Sequence, residues 1–231
     1  MTKYACSESK LTALGDAIRD KAGTTGKMTL DEMATAVEGI STGIDPSVLP
    51  EGVNTVYYTI KDSVPAGSSS APGCGSKDIV AAIAPNATSI GNYGFYNCSV
   101  LTGINLPNAT SIGNYGFYNC SVLTSLNLPS VVTVGEYAFR QLYALTVVDF
   151  GKVESFGLYA FSSCSALTSI VIRQSEKVCS MATSYGQAAL YTSCRNLASI
   201  YVPDALVDSY KSTTGWSSYA SKIKPLSEYK G

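Results

Sequence analysis

With 231 residues, 45% of them hydrophobic, the chain is long enough to bury a core, and its formal net charge of -1 leaves no basic excess for nucleic acid or an anionic membrane surface. Histidine is absent, which removes the commonest general base and metal ligand, and no paired-carboxylate site is evident, so we expect no enzyme, no cofactor and no metal. No apolar run has the length of a signal peptide or a membrane span, so membrane insertion is not expected.

Residues 1–45 predict a helical hairpin. Apolar residues at helical spacing mark its first helix (Leu11, Leu14 and Ile18), and a capping box at 29–32 begins the second. A segment this small cannot fold alone, so we expect it to dock on the solenoid, on a sister chain or on something larger. A role in attachment or oligomerisation follows, and a homotrimer would suit it. The stretch LTALGDAIRDKAGTTGKMTLDEMATAVEGI resembles an N-terminal segment of tail-region proteins from phages and prophages of gut Firmicutes. This resemblance implies a virion tail protein made in the host cytoplasm.

Residues 46–75 are predicted to form a linker and an N-terminal cap strand. One strand is predicted over 53–60. The following SVPAGSSSAPGCG is rich in Gly, Ser and Pro, a composition typical of a flexible connector. We therefore place the domain boundary within this segment.

A 22-residue repeat fills residues 76–203. The letters PNATSIGNYGFYNCSVLT at 85–102 recur without change at 107–124, and looser copies follow. Within a copy, LTGINL alternates apolar and polar residues as a half-buried strand does, TSIG is a second short extended segment, and YGFYNC is long enough for only one helical turn. The repeat predicts a solenoid of mainly parallel β-structure with short helical turns, in which successive coils lie about 4.8 Å apart.

The pattern L-x-x-I-x-L-P-x-x-x-x-I-G-x-x-A/G-F-x-x-C resembles the leucine-rich repeat of the BspA-type bacterial surface protein family over about residues 76–203. The resemblance implies a leucine-rich-repeat solenoid with a role in adhesion. Residues 204–231 resemble the closing helical cap of that family. In this cap we expect Asp204 as a helix N-cap, with a buried face formed by Leu206, Val207 and Tyr210, and Trp216 packed beneath it.

Most of the seven cysteines follow the repeat. Four share one register, in which Leu142 stands in the remaining coil. Because leucine replaces a buried apolar residue and not a metal ligand, a column of core thiols is predicted for Cys98, Cys120, Cys164 and Cys194. Cys6, Cys74 and Cys179 fall outside this register and have no evident partners.

The repeat region contains a long uncharged stretch. No Asp, Glu, Lys or Arg occurs from Ile79 to Gly135, so the surface there must present Asn, Ser, Thr and Tyr, residues that suit recognition. The repeat aligns such residues in columns, and the candidate recognition face comprises Tyr93, Tyr96, Tyr115, Tyr118, Tyr137, Tyr159, Asn105, Asn127 and Asp149. The alternative is that the columns only stabilise the stack, since repeats create columns whether or not anything binds.

These observations predict a non-enzymatic binding or adhesion module whose partner is a glycan or protein on a bacterial or host surface. In the favoured interpretation, it is a phage or prophage tail-associated surface-recognition protein. The alternative is a cell-surface or secreted BspA-like adhesin that binds host matrix or other cells.

Overall fold

A computed structural model describes residues 2–5, 55–58 and 63–231, apart from 76, 175, 185–186, 189 and 191–193. The predicted helices of 7–40, the segment that resembles phage tail proteins and Cys6 lie outside the described residues. Within them, each 22-residue copy forms one coil with two short strands, and successive coils pair in parallel. The predicted parallel β-solenoid is therefore confirmed.

The first strands of the coils form two sheets, with four strands at the N-terminal end and five at the C-terminal end. Only β1 and β2 pair antiparallel among them. The four-stranded sheet comprises β1 Thr2–Ala5, β2 Thr55–Tyr58, β4 Ile79–Ile83 and β6 Gly103–Asn105. The five-stranded sheet comprises β8 Ser125–Leu128, β10 Val147–Phe150, β12 Ser169–Ile172, β16 Ser199–Val202 and β17 Ile223–Pro225.

The second strand of each coil has only two residues, and these strands form a parallel six-stranded sheet. The first residue of each is at least partly exposed and the second is buried. They are β3 Ser63–Val64, β5 Ser89–Ile90, β7 Ser111–Ile112, β9 Thr133–Val134, β11 Ser155–Phe156 and β13 Ser180–Met181. An antiparallel hairpin, β14 Thr183–Ser184 and β15 Gln187–Ala188, lies in the insertion before the last coil.

A single hydrophobic core runs the length of the stacked coils. At its centre lies a column of buried phenylalanine rings at 22-residue spacing. The ring centroids of successive members are 5.1, 6.0 and 5.2 Å apart. The column comprises Phe95, Phe117, Phe139 and Phe161. The apolar side chains of each coil are therefore buried by contact with the neighbouring coils.

The predicted column of core thiols is confirmed, since its four members and Leu142 are all buried. Cys74, for which the sequence offered no evident partner, forms no disulfide, but its Sγ lies 3.6 Å from the Sγ of Cys98 at the start of the column. The backbone N–H of Cys74 donates to the next coil, as the N–H of Phe95 does one coil later. Cys74 thus occupies in the first coil the position that Phe95 occupies in the next. Counting in strict steps of 22 residues does not identify this equivalence, because the two residues are 21 apart.

We expect these thiols to resist alkylation in the folded protein. Burial raises the pKa of Cys120, Cys164 and Cys179, and it raises the pKa of Cys194 to about 11. The pKa of Cys98 is also raised, first by its hydrogen bond with Cys74 and then by burial. Because the thiolate is the nucleophile, iodoacetamide at neutral pH should modify these five cysteines only in denaturant. Peptide mass spectrometry checks this, and rapid modification of any one under native conditions would contradict it.

The turn after each second strand differs from the helical turn predicted for it. Its N–H groups alternate in their partners: Tyr96 donates to Tyr93 within the coil, whereas Phe95 and Asn97 donate to carbonyls of the next coil. In four successive coils, two residues of this turn have a positive φ, including Tyr93 at 56° and Asn97 at 62°. A left-handed residue ends a right-handed helix, so the segment becomes a series of tight turns that hold neighbouring coils together.

The segment 65–75, predicted as a flexible connector, is the first turn of the solenoid. The N–H groups of Gly67, Gly73 and Cys74 donate to carbonyls of residues 92–94 in the next coil. Its glycines serve close approach, since a Cβ on Gly73 would lie 1.7 Å from the carbonyl oxygen of Pro65. The glycine- and proline-rich composition therefore reflects tight packing of the backbone.

The C-terminal end is closed by helix α1 Val207–Ser212 and by 3-10 turns at Asp204–Leu206, Ser217–Lys222 and Leu226–Glu228. As predicted, Trp216 and Tyr210 are fully buried, with Leu206 and Val207 partly buried against the core. The indole Nε1 of Trp216 donates to the carbonyl of Cys179, whose N–H donates to the Tyr210 hydroxyl.

The prediction of Asp204 as a helix N-cap is wrong. Pro203 occupies that position, and the Asp204 carboxylate instead accepts a hydrogen bond from the N–H of Ser227, 3.1 Å away. This bond ties the start of the cap to its last turn. The side chain of Ser227, followed by its N–H, lowers the pKa of Asp204 by hydrogen bonding.

Candidate functional site

The six predicted tyrosines lie together in the turns that follow the second strands, and all are half-buried. The first column has centroid spacings of 4.9, 4.9 and 5.0 Å and comprises Tyr93, Tyr115, Tyr137 and Tyr159. The second is the pair Tyr96 and Tyr118, 4.9 Å apart. The columns contact each other, with 5.3 Å between the rings of Tyr93 and Tyr96. We call these six residues the tyrosine face.

The backbone of the first column is unusual for a bulky residue. Its tyrosines have φ values of 55–57°, in the left-handed region, where a residue with a Cβ costs about 1–2 kcal/mol. Stacking contributes about 0.5–1.5 kcal/mol per aromatic pair, and the N–H of Tyr93 and of Tyr115 donates to the next coil. These contacts offset the strain and give every ring of the column the same orientation.

Asparagines beside the tyrosine face serve mainly to join the coils. The Oδ1 of Asn92 accepts from the N–H of Asn114, and the Oδ1 of Asn114 accepts from the N–H of Glu136, at 2.8 and 2.9 Å. In a second register, the Nδ2 of Asn119 donates to the Oδ1 of Asn97 at 2.5 Å. For these asparagines the interpretation as stabilisers of the stack is therefore the better one.

Unlike the asparagine side chains, the hydroxyls of five of these tyrosines do not join neighbouring coils in the part of the solenoid that the structure describes. No described residue forms a hydrogen bond with the hydroxyls of Tyr93, Tyr96, Tyr115, Tyr118 and Tyr137. The one buried side-chain polar atom without a partner in the described part of the chain is Nε of Arg140, so these five hydroxyls face solvent. Burial, with a further contribution from neighbouring tyrosines, raises the pKa of Tyr96 and of Tyr115. Both hydroxyls therefore stay protonated and can donate as well as accept at neutral pH.

Ring stacking limits what the face can offer to a ligand. Tyr115 lies between Tyr93 and Tyr137, with interplanar angles of 6° and 13°, so both of its ring faces are covered. Only ring edges and hydroxyls are available along the inner part of the column. The face is thus a row of hydroxyls carried by stacked rings whose centroids recur every 4.9–5.0 Å.

Sequence reasoning missed Arg140, which stands 22 residues after Tyr118 and continues the second column. Its guanidinium carbon lies 5.9 Å from the ring centroid of Tyr118 and 5.4 Å from that of Tyr137. Both distances are typical of cation–π contacts. The 22-residue register already placed Arg140 after Tyr118. The change from tyrosine to arginine was interpreted as the end of the column.

The remaining predicted residues lie elsewhere, because they belong to the first strands. Asn105 is on β6, Asn127 on β8 and Asp149 on β10, whereas the tyrosines lie in the turns that follow the second strands. Asp149 accepts two hydrogen bonds from Arg173, at 2.7 and 2.8 Å. Its carboxylate is therefore engaged within the protein, and the columns predicted as one face form two separate surfaces.

An exposed apolar strip at the corner after the tyrosines was also missed. Val100, Val122 and Tyr143 are 41%, 42% and 45% exposed. The two valines share one register, and Tyr143 stands one position earlier in its coil. Only the two valines of this strip therefore follow the 22-residue repeat.

The fold and the site define a leucine-rich-repeat type of parallel β-solenoid. Within the described ranges, no cluster of Cys, Asp and Glu could hold a metal ion. The chain belongs to the BspA-type leucine-rich repeat family, since the family model described as "BspA type Leucine rich repeat region" matches residues 88–213 in six copies. Proteins with such repeats are generally non-enzymatic binding or adhesion modules.

Several solved structures are similar to this chain. A leucine-rich repeat protein from T. pallidum is 22% identical, with a TM-score of 0.48 over 79% of this chain and 81% of that one. One from Eubacterium ventriosum is 23% identical, with a TM-score of 0.44, and covers 54% of this chain. One from Bacteroides ovatus is 26% identical, with a TM-score of 0.40 over 55% of this chain and 32% of that one. The chain spans 33% of the Eubacterium ventriosum protein.

Among curated proteins, no sequence matches this chain. In the part of the chain that the structure describes, no helix combines the length and the hydrophobicity needed to cross a bilayer.

Proposed function

We propose that this protein is a non-enzymatic recognition module whose tyrosine face binds a glycan or protein on a bacterial or host surface. The observation that carries the proposal is the set of five tyrosine hydroxyls that face solvent without a partner among the described residues. Side chains needed only for stacking would not require them, because phenylalanine stacks as well. The family's general role in binding and adhesion supports the same conclusion.

We further propose that the module acts on a phage or prophage tail, attached through its N-terminal segment as a homotrimer. The resemblance of residues 11–40 to tail-region proteins supports this setting. So does the antiparallel pairing of β1 with β2, because the segment between them begins and ends at the same edge of the solenoid. The second setting, a cell-surface adhesin, is supported by the BspA-type repeat itself.

The two settings predict different locations. Immunogold electron microscopy of induced particles should decorate the tail if the first is correct. The protein should fractionate with the cell envelope if the second is correct. Its absence from purified particles would overturn the tail proposal, whereas the proposed role of the tyrosine face would remain.

Replacing four tyrosines with phenylalanine tests the face without removing its rings. The variant carries Y93F, Y96F, Y115F and Y118F. Each hydrogen bond to a neutral hydroxyl contributes about 0.5–1.5 kcal/mol, so binding to target cells should fall by about ten-fold or more. The melting temperature should change little, because all the stacked rings remain.

The matched control is Tyr143→Phe, which removes a hydroxyl from an exposed tyrosine outside the face. Flow cytometry with labelled protein measures the binding of both variants. The control should bind as the unaltered protein does. Undiminished binding by the quadruple variant would assign the tyrosines to stabilisation of the stack alone.

A further inference from the structure

We propose that Arg140 makes the tyrosine face selective for an acidic sugar polymer, one whose rings carry carboxylate or phosphate groups. The inference rests on the proposed role of the tyrosine face and narrows its ligand class. It concerns a residue that stands where the two tyrosine columns meet the first charges after the uncharged stretch of Ile79 to Gly135.

Stacking holds Arg140 in a defined place. Its guanidinium lies against the rings of Tyr118 and Tyr137, and its Nε is buried without a hydrogen-bond partner. The side chain as a whole remains partly exposed. A ligand therefore meets the guanidinium at its outer end, where Nη1 and Nη2 form the planar pair of donors that suits an oxyanion.

The charge of Arg140 is not neutralised within the described part of the protein. Arg173 pairs with Asp149 and Lys177 pairs with Glu154, both at 2.7 Å, but no described carboxylate forms an ion pair with Arg140. Glu136 is the acidic residue nearest in sequence and is exposed. Burial and the neighbouring tyrosines raise the pKa of Tyr115, and Arg140 opposes that rise, so the guanidinium acts on the face itself.

The spacing of the face favours a sugar polymer over a peptide. Its hydroxyls recur with the rings every 4.9–5.0 Å, whereas an extended peptide presents side chains to one face about every 6.6 Å. The covered ring faces also leave few apolar anchors of the kind that dominate protein interfaces. A chain of sugar rings offers hydroxyls at every ring to match such a row, and an acidic group on it would meet Arg140.

The test compares four polymers against the full-length protein by isothermal titration calorimetry. Polygalacturonate carries carboxylates on its sugar rings, dextran phosphate carries phosphates on its sugar rings, dextran is neutral and poly-glutamate is an acidic peptide. We expect at least one of the first two to bind and dextran not to. The binding should weaken with added salt, because a charged contact on the surface is screened.

The variant Arg140→Gln should weaken that binding by about ten-fold or more, since it removes a charge-assisted contact. Arg195→Gln, which removes the same charge from another exposed position, is the matched control and should bind unchanged. Binding that is equally strong to dextran, or unaffected by Arg140→Gln, would overturn the acidic-ligand inference. So would a preference for poly-glutamate or a failure to bind any of the polymers.

These failures remain distinct from failure of the proposed function. If the protein still binds cells in a way that depends on the tyrosine hydroxyls, the recognition face stands and only the acidic sugar is wrong. If the quadruple phenylalanine variant binds cells undiminished, the face itself is wrong and the role of Arg140 falls with it.

Discussion

Phe117→Ala should destabilise the solenoid by about 3–5 kcal/mol, the largest effect we expect from a single substitution. Phe117 is fully buried in the middle of the phenylalanine column, with its ring centroid 5.1 Å from that of Phe95 and 6.0 Å from that of Phe139. Truncation removes apolar contacts with both neighbouring coils and leaves a cavity that their rigid strands cannot close. Urea unfolding followed by circular dichroism measures the loss.

The stacked architecture makes this result more specific. Because each coil contacts only its neighbours, the damage should fall mainly on the coils around residue 117. Trp216 is the only tryptophan and is buried in the C-terminal cap, so its fluorescence reports the opposite end of the chain. The fluorescence transition should shift less than the circular dichroism transition. Phe117→Leu, the control that keeps part of the apolar volume, should cost less. Stability of the alanine variant equal to that of the unaltered protein would contradict the column of rings as the core.

Gly113→Ala should cost about 3 kcal/mol, at the upper end of overpacking effects, although it adds only one methyl group. An added Cβ would lie 2.6 Å from both the backbone nitrogen and the Oδ1 of Asn92. Neither atom can move freely, because the Oδ1 of Asn92 accepts the hydrogen bond from Asn114 that joins the coils. Relief would require the coils to separate, which breaks the ladder.

Gly116→Ala is the matched control for this substitution. There the added Cβ would meet the side chain of Ile112, at 2.7 Å from its Cγ2, rather than the backbone of another coil. Alanine already stands at this register in two later coils, as Ala138 and Ala160. We expect Gly116→Ala to lower the unfolding midpoint by much less than Gly113→Ala. Equal effects of the two changes would show that coil spacing does not limit position 113.

The repeat was enough to predict the stacked coils, their two strands and the column of buried thiols. Periodicity forces equivalent residues into columns, and Leu142 in the cysteine register identifies that column as interior. The left-handed tyrosines were not predictable in the same way. Local preference disfavours a bulky residue at positive φ, and only bonds to the next coil and stacking with it make that conformation favourable. The place of Cys74 beside the thiol column was also not predicted, because the first coil departs from the strict 22-residue step.

The sequence by itself therefore determined the parallel solenoid, the contents of its core and the absence of charge from Ile79 to Gly135. Only the tertiary structure decided which columns adjoin. It separated Asp149 from the tyrosines, engaged its carboxylate with Arg173 and placed Arg140 between two rings with its charge unpaired among the described residues. The physical reason is that a repeat specifies the contacts along the stack, whereas contacts between columns depend on the path of the chain within each coil. That path is set by tight turns whose backbone angles come from neighbouring coils rather than from local sequence.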